Sequence, residues 1–160
     1  MAVIREPMTR AGYEKAKAEL ERLRSEERVK ISAEIEKARS YGDLSENAEY
    51  HYAKDKQGQI EAQIRNLEDK LSRADIIDLS KLSGDHVTFG AIIELENIET
   101  KERVSYQIVG SLESDPEHGK ISFESPLART LIGKEQGDDV VLKIGKGQTT
   151  YEIIEVRFAG

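Results

Sequence analysis

Apolar side chains recur every three to four residues in two long segments of the first half of the chain, a pattern typical of paired helices. The second segment follows this spacing without a break at Tyr50, Ala53, Gln57, Ile60, Ile64, Leu67, Leu71 and Ala74. The first has one charged interruption, Glu27, within the series Tyr13, Ala16, Leu20, Leu23, Glu27, Ile31, Ile35 and Ala38. Because the connection between the segments is short, the pattern predicts an antiparallel coiled-coil hairpin over about residues 9–74.

The second half of the chain has the alternating period of β-strands. Short runs of this kind cover residues 86–89, 91–97, 104–109, 120–123, 140–144 and 151–158. Between the fourth and fifth runs one helix is predicted, with Ser125 as N-cap, Pro126 as its first residue and Gly133 as its stop. Its apolar face comprises Leu127, Leu131 and Ile132.

These patterns predict an α+β protein with two domains. Residues 1–78 form the N-terminal antiparallel α-helical coiled-coil hairpin with an acidic tip. Residues 79–160 form a small, mostly antiparallel β-sheet domain with one short helix, and the boundary lies where Ser80, Ser83 and Gly84 supply turn residues.

The connection of the hairpin contains two acids, Asp43 and Glu46, at the spacing of a capping box. In such a box Asp43 accepts a bond from an early helical N–H, and Glu46 reaches back to the cap residue's own N–H. The same carboxylates could instead help to hold a divalent metal. Magnesium typically takes one or two protein carboxylates, so these acids would bind it poorly alone but could complete a site provided by a partner. Both interpretations can hold together, because a cap uses only part of a carboxylate's acceptor capacity.

Three motifs, in this order and spacing, resemble the Gre family of bacterial transcript cleavage factors over essentially the whole chain. They are Met8-Thr9, then Gly42-Asp43-Leu44-Ser45-Glu46-Asn47-Ala48-Glu49-Tyr50-His51, and finally Ser125-Pro126-Leu127-Ala128-Arg129 with Leu131-Ile132-Gly133-Lys134.

The resemblance implies a partner and a mechanism. In that family the hairpin enters the secondary channel of bacterial RNA polymerase and meets the 3′ end of backtracked nascent RNA. Asp43 and Glu46 would then help to retain a catalytic Mg²⁺ that is shared with the polymerase and held only in the complex. The polymerase itself cleaves the RNA and arrested complexes resume, so the chain is expected not to be an enzyme.

The resemblance also implies smaller roles near the tip. Arg39 and Lys54 stand where family members contact RNA or polymerase, although the same side chains would suit ordinary solvated helix surface. Ser45 and Asn47 could contact the partner or orient the acids, but both residue types also favour the first turn of a helix. The second domain resembles an FKBP-type fold, for which the family implies docking on the polymerase.

Composition and charge limit the choice of partners. The 160-residue chain is 38% apolar and 34% charged, with a net charge of −7. Residues 1–78 carry 15 basic against 17 acidic side chains, and the remainder carries 9 against 14. Neither half has the basic excess of a free-standing nucleic-acid binder, so binding is expected mainly through protein, with RNA contact confined to the tip.

Other sequence features restrict the type of site and the environment. The absence of cysteine excludes disulfides and thiolate metal sites. No apolar run has the roughly 18 residues needed to span a bilayer. We therefore expect a cytoplasmic protein without a membrane partner. A monomer is expected as well, as a separate prediction that these features do not determine.

Two other functions remain open from the sequence. One is a regulator that occupies the polymerase channel and inhibits transcription, although such a protein has no evident need for Asp43 and Glu46. The other is a stand-alone prolyl isomerase or chaperone that uses the FKBP-like domain, with the hairpin as an interaction arm.

Overall fold

The computed structural model describes residues 4–144 and 146–158 of the chain. They form two compact units: Tyr13–Ala74 makes up most of the first, while Arg5–Gly12 and the chain from Asp75 onward make up the second. The division falls at Ala74, before the predicted boundary at residue 78, and it assigns Arg5–Gly12 to the second unit.

The first unit is a helical hairpin. Its outgoing arm consists of α1 (Arg10–Arg22), which belongs to this unit from Tyr13 onward, a π-helical turn (Leu23–Glu27) and α2 (Arg28–Arg39), and its returning arm is α3 (Ala48–Ser72). The predicted seam is confirmed, because the buried apolar side chains of the hairpin all lie at its positions: Ala16, Leu20, Leu23, Ile31 and Ala38 from the outgoing arm, and Ala53, Ile60, Ile64 and Leu67 from α3. The other apolar seam positions are half-buried: Tyr13, Ile35, Tyr50, Leu71 and Ala74.

The charged interruption of the first seam coincides with the π-helical turn. A π turn accommodates one more residue than an α turn and so shifts the side chains that follow it. The Glu27 carboxylate lies 2.8 Å from Arg22 Nη1 and 3.9 Å from Lys30 Nζ. The charge is thereby paired within its own helix, while Leu23 and Ile31 on either side stay buried.

An ion pair links the two arms midway. Arg28 donates from Nε and Nη2 to the two carboxylate oxygens of Glu61, at 2.8 and 2.9 Å. This hydrogen-bonded guanidinium lowers the pKa of Glu61 below its ordinary value. The pKa is depressed in the folded state, so the group's contribution to stability is present above the unfolded pKa and is lost as pH falls through the folded one.

The strands of the described chain belong to the second unit, apart from Ala74 at the start of β2, and they form two sheets. The small sheet pairs β1 (Glu6–Thr9) with β2 (Ala74–Ile77). The larger sheet has the order β5-β4-β3-β7-β6 and comprises β3 (Ala91–Asn97), β4 (Arg103–Val109), β5 (Lys120–Ser122), β6 (Asp139–Ile144) and β7 (Gly147–Phe158). Among the described residues no helix is long and apolar enough to cross a membrane.

The larger sheet is mostly antiparallel, as predicted: β4 pairs with β5 in parallel, and the other described pairings are antiparallel. Two other points of the strand prediction need correction. The predicted run at residues 86–89 makes only a single bridge, between His86 and Glu135. The small sheet was not predicted, since four residues beside a long helix are too few to establish an alternating period.

Helix α4 (Pro126–Leu131) begins and ends as predicted. Ser125 Oγ accepts a hydrogen bond from the backbone N–H of Ala128 at 3.2 Å, and Gly133 has a φ of 91°. Leu131 and Ala128 are fully buried, but Ile132 is 40% exposed because it follows the last helical turn. The apolar face therefore includes Ala128 and excludes Ile132. It packs with a core of strand residues: Ala91, Ile93, Leu95, Ile108, Ile121, Val140, Leu142, Ile153 and Val156.

Glu113 ties the beginning of the chain to the larger sheet within the second unit. Its Oε2 accepts hydrogen bonds from the backbone N–H of Thr9 at 3.2 Å and from that of Gly110 at 3.0 Å. The Thr9 hydroxyl donates to Oε1 of the same carboxylate. Gly12 is packed so closely here that a Cβ on it would overlap Cδ of Glu113. The carboxylate thus fills a space that only glycine leaves open.

Candidate functional site

The connection of the hairpin begins with a left-handed glycine. The backbone N–H groups of Tyr41 and Gly42 donate to the carbonyls of Ala38 and Arg39, which extends the end of α2. Gly42 then adopts a φ of 113°, a conformation that residues with a Cβ rarely take. A Cβ at Gly42 would meet no atom within 4 Å, so the requirement is conformational and not steric.

Two alanine substitutions should therefore have opposite effects. Gly42→Ala should lower the free energy of unfolding by about 1 kcal/mol or more, because a side chain disfavours positive φ. Gly58→Ala, at an open position within α3, should raise it by about 0.5 to 1 kcal/mol through helix propensity. Urea unfolding followed by circular dichroism measures both. Destabilisation by both variants would contradict this distinction between the two glycines.

Asp43 opens a short 3-10 turn, Leu44–Glu46, and does not cap the long helix. Its Oδ1 accepts two hydrogen bonds from Ser45, one from the backbone N–H at 3.0 Å and one from the hydroxyl at 2.9 Å. These bonds hold the exposed carboxylate in place through one oxygen and leave the second for a partner. Ser45 therefore orients the Asp43 carboxylate, which is one of the two roles that the sequence suggested for it.

Glu46 is the last residue of the same turn and is exposed to solvent. Within residues 4–144 and 146–158, its carboxylate forms no hydrogen bond or ion pair. The predicted capping box is thus wrong in its second half, because Glu46 does not return to the Asp43 N–H. Its full acceptor capacity remains available to a partner.

Asn47 is the N-cap of α3, a role that sequence reasoning assigned to Asp43. Its Oδ1 accepts from the Tyr50 N–H at 3.0 Å, and its Nδ2 donates to the carbonyl of Ala38 at 2.6 Å. One side chain therefore starts α3 and fastens it to the end of α2. The preference of Asn for N-caps, directly before Ala48, was the signal that could have identified it. Its suggested contact with RNA or polymerase stays a prediction.

The two predicted basic residues flank the acidic loop. Arg39 is the exposed last residue of α2, and Lys54 lies on α3, where its Nζ donates to Oε1 of Gln57 at 3.1 Å. Among the described side chains, Arg39 has no hydrogen bond or ion pair. Both cations remain predicted contacts for an anionic partner.

The donor set at the tip is of the kind that Mg²⁺ binds, and the shared magnesium site stays a prediction. Asp43 and Glu46 offer carboxylate oxygens, the ligand type that Mg²⁺ prefers, but two carboxylates leave most of an octahedron to water and a partner.

In the part of the chain that is described, three metal-ligand groups come together only at Asp85, His86 and Glu135, within 4.8 Å. There both ring nitrogens of His86 already face carboxylates, at 2.9 Å from Asp85 and 3.1 Å from Glu135.

Sequence comparisons match nearly the whole chain to known proteins. Residues 6–76 match the family model "Transcription elongation factor, N-terminal", and residues 82–158 match "Transcription elongation factor, GreA/GreB, C-term". A protein named transcription elongation factor GreA from a Nitratiruptor species is 52% identical, over 96% of this chain and 94% of its own length. Its namesake from an Anaeromyxobacter species is 51% identical, over 96% and 93%. A crystal structure of GreA factor homolog 1 (Gfh1) of Thermus thermophilus is 31% identical, covering 96% of this chain and 99% of that one, with a TM-score of 0.45.

Proposed function

Because the chain belongs to the GreA/GreB family of transcription elongation factors, we propose that it stimulates RNA polymerase to cleave its own backtracked transcript. Members of this family are elongation factors and not enzymes themselves, and RNA polymerase is the partner that the family implies. In the proposed activity, the hairpin enters the channel that leads to the polymerase active site. Asp43 and Glu46 then supply ligands that the polymerase lacks.

The observation that carries this proposal is that the carboxylates of Asp43 and Glu46 are exposed and have unused acceptor capacity. Both are exposed on one short turn, and neither carboxylate is consumed by an ion pair within the described chain. One such turn does not imply a site by itself, because Asp78 accepts the same two bonds from Ser80 through a single oxygen. What distinguishes the tip is the second acid on the turn, Glu46, which has no local partner within the described residues. Open carboxylates favour a ligand from outside the chain.

Ser45 and Asn47 support the two acids in this mechanism. Magnesium, when shared with the polymerase, would supply charge stabilisation and activate water for phosphodiester hydrolysis. Ser45 keeps the Asp43 carboxylate in one orientation, which avoids an entropy cost when the complex forms. Asn47 fixes the ends of both arms, so that the acids are presented on a rigid support.

A cleavage assay with purified bacterial RNA polymerase tests the proposal. Backtracked elongation complexes with 3′-displaced, end-labelled RNA are supplied with Mg²⁺, with and without the protein, and RNA shortening is followed over time. We expect faster internal cleavage of the RNA when the protein is present. The protein without polymerase should not cleave the RNA. Polymerase binding with no increase in cleavage would instead favour the channel-binding inhibitor, and isomerisation of a proline test peptide would favour the prolyl isomerase.

Arg39 and Lys54 should contribute less than the acids, through long-range attraction to RNA phosphates. Arg39→Ala and Lys54→Ala are each expected to slow cleavage several-fold at low salt and progressively less as salt increases, because screening weakens exposed charge interactions. Lys17→Ala, which removes an exposed cation of α1 that is far from the tip in sequence and has no ion pair among the described residues, is the matched control. Losses independent of salt would contradict the electrostatic assignment.

A further inference from the structure

A groove of about 410 Å³ lies on one side of the hairpin, close to the connection. Glu34, Lys37 and Ala38 of α2, which share one helix face, form one wall, and Tyr41 adjoins them just after the end of that helix. The beginning of α3 supplies the opposite wall. None of these side chains takes part in the acidic turn described above, so the groove has no role in the proposed function so far.

The base of the groove is formed by small side chains, and aromatic side chains border it. Ala38 and Ala53 lie at seam positions and are each 3% exposed, so the helices pack closely beneath it without filling it. Tyr41 and Tyr52 border it and are 59% and 69% exposed. They are the two most exposed of the Tyr and Phe side chains among the described residues. Exposed phenol rings beside an unfilled groove offer flat faces to a flat ligand.

We propose that this groove binds an unpaired nucleobase of the displaced RNA by stacking on Tyr41 and Tyr52. The inference rests on the proposed function, since it adds a site for the RNA that the two acids would help to cleave. Tyr41 is two residues before Asp43, so a base held here belongs to a nucleotide close to the reacting phosphodiester. Aromatic stacking is tolerant of sequence, as a factor that acts on many transcripts requires.

The charged residues of the groove suit a nucleotide better than an aliphatic protein surface. Lys37 lines the groove and, among the described residues, has no ion-pair partner, so its ammonium can approach a phosphate. Glu34 and Glu49 also line it, and carboxylates accept hydrogen bonds from the exocyclic amino groups of bases. An apolar protein segment would leave these three charges desolvated without partners.

A cycle with modified RNA tests the inference. Tyr41→Leu/Tyr52→Leu keeps the apolar area but removes both rings, and Tyr41→Phe/Tyr52→Phe keeps the rings. On RNA with normal displaced nucleotides, the Leu variant should lose about tenfold or more in cleavage rate at subsaturating protein, while the Phe variant should lose little. On RNA whose displaced nucleotides are abasic, the wild type and the Leu variant should cleave at the same rate. Equal losses on both RNAs would show that the rings contact the polymerase and would overturn the inference.

A second readout does not depend on cleavage. RNA carrying 4-thiouridine at its displaced 3′ end is irradiated in complexes with the Asp43→Asn/Glu46→Gln variant, and crosslinks to the protein are mapped by mass spectrometry. Crosslinks within residues 34–53 are expected, and they should be lost when Tyr41→Leu/Tyr52→Leu is added to the same variant. Crosslinks to polymerase alone would overturn the groove assignment even if the protein stimulates cleavage, and groove crosslinks without any stimulation by the wild type would refute only the proposed function.

Discussion

Asp43→Asn combined with Glu46→Gln is expected to abolish stimulation of RNA cleavage, with a loss of about 100-fold or more. Each change removes a negative charge while preserving side-chain shape. The amide introduced at position 43 would retain an oxygen that can accept from the Ser45 N–H, and Glu46 has no partner to lose within the described residues. The turn should therefore keep its structure, and binding to polymerase should remain nearly unchanged.

Single-turnover cleavage and polymerase affinity must be measured on the same preparations. The matched control is Glu36→Gln/Asp55→Asn, which removes two exposed carboxylates from the helical arms and leaves the turn intact. It should retain full stimulation. A parallel loss of binding and cleavage in the tip variant would show that the acids serve the structure of the turn and are not donated ligands.

Gly12→Ala is expected to lower the free energy of unfolding by about 2 to 4 kcal/mol. This loss is larger than the one expected for Gly42→Ala. The added Cβ would overlap Cδ of Glu113, and this carboxylate cannot move without breaking its bonds to Thr9 and Gly110. Urea unfolding measures the change, and Gly58→Ala is the matched control, because the same substitution there meets no atom within 4 Å.

A double-mutant cycle identifies the cause of that loss. Glu113→Ala alone should also destabilise the protein, since it leaves the backbone donors of Thr9 and Gly110 without their acceptor. Combined with it, Gly12→Ala should cost much less than it does alone, because the colliding carboxylate has been removed. Additive losses would mean that the clash does not explain the effect of Gly12→Ala.

The hairpin could be predicted because its stabilising pattern repeats along some sixty residues, as expected of a coiled-coil seam. Each seam position reinforces the same period, so one charged interruption at Glu27 did not obscure it. At this interruption the arm forms a π-helical turn in which Glu27 pairs with Arg22. The turn depends on side-chain geometry, about which the spacing of apolar residues carries no information. The pairing of β1 with β2 joins residues far apart in the sequence, and such contacts leave no local signal.

The candidate site was only partly accessible from the sequence. The acidic turn could be located, but Asp43 and Asn47 are both good N-cap residues, and the Asp-x-x-Glu spacing favoured the wrong one. The structure distinguishes them, because it is Asn47 that both caps α3 and reaches the carbonyl of Ala38. Tyr52 lies off the seam, and its place beside Tyr41 in the groove depends on how the two arms align.

The most direct test of the central claim is the magnesium dependence of RNA cleavage in backtracked complexes. If Asp43 and Glu46 complete a shared site, the protein should lower the magnesium concentration that gives half-maximal cleavage, and Asp43→Asn/Glu46→Gln should return it to the value of polymerase alone. An increase in maximal rate with an unchanged half-maximal magnesium concentration, in both the wild type and the variant, would contradict the account.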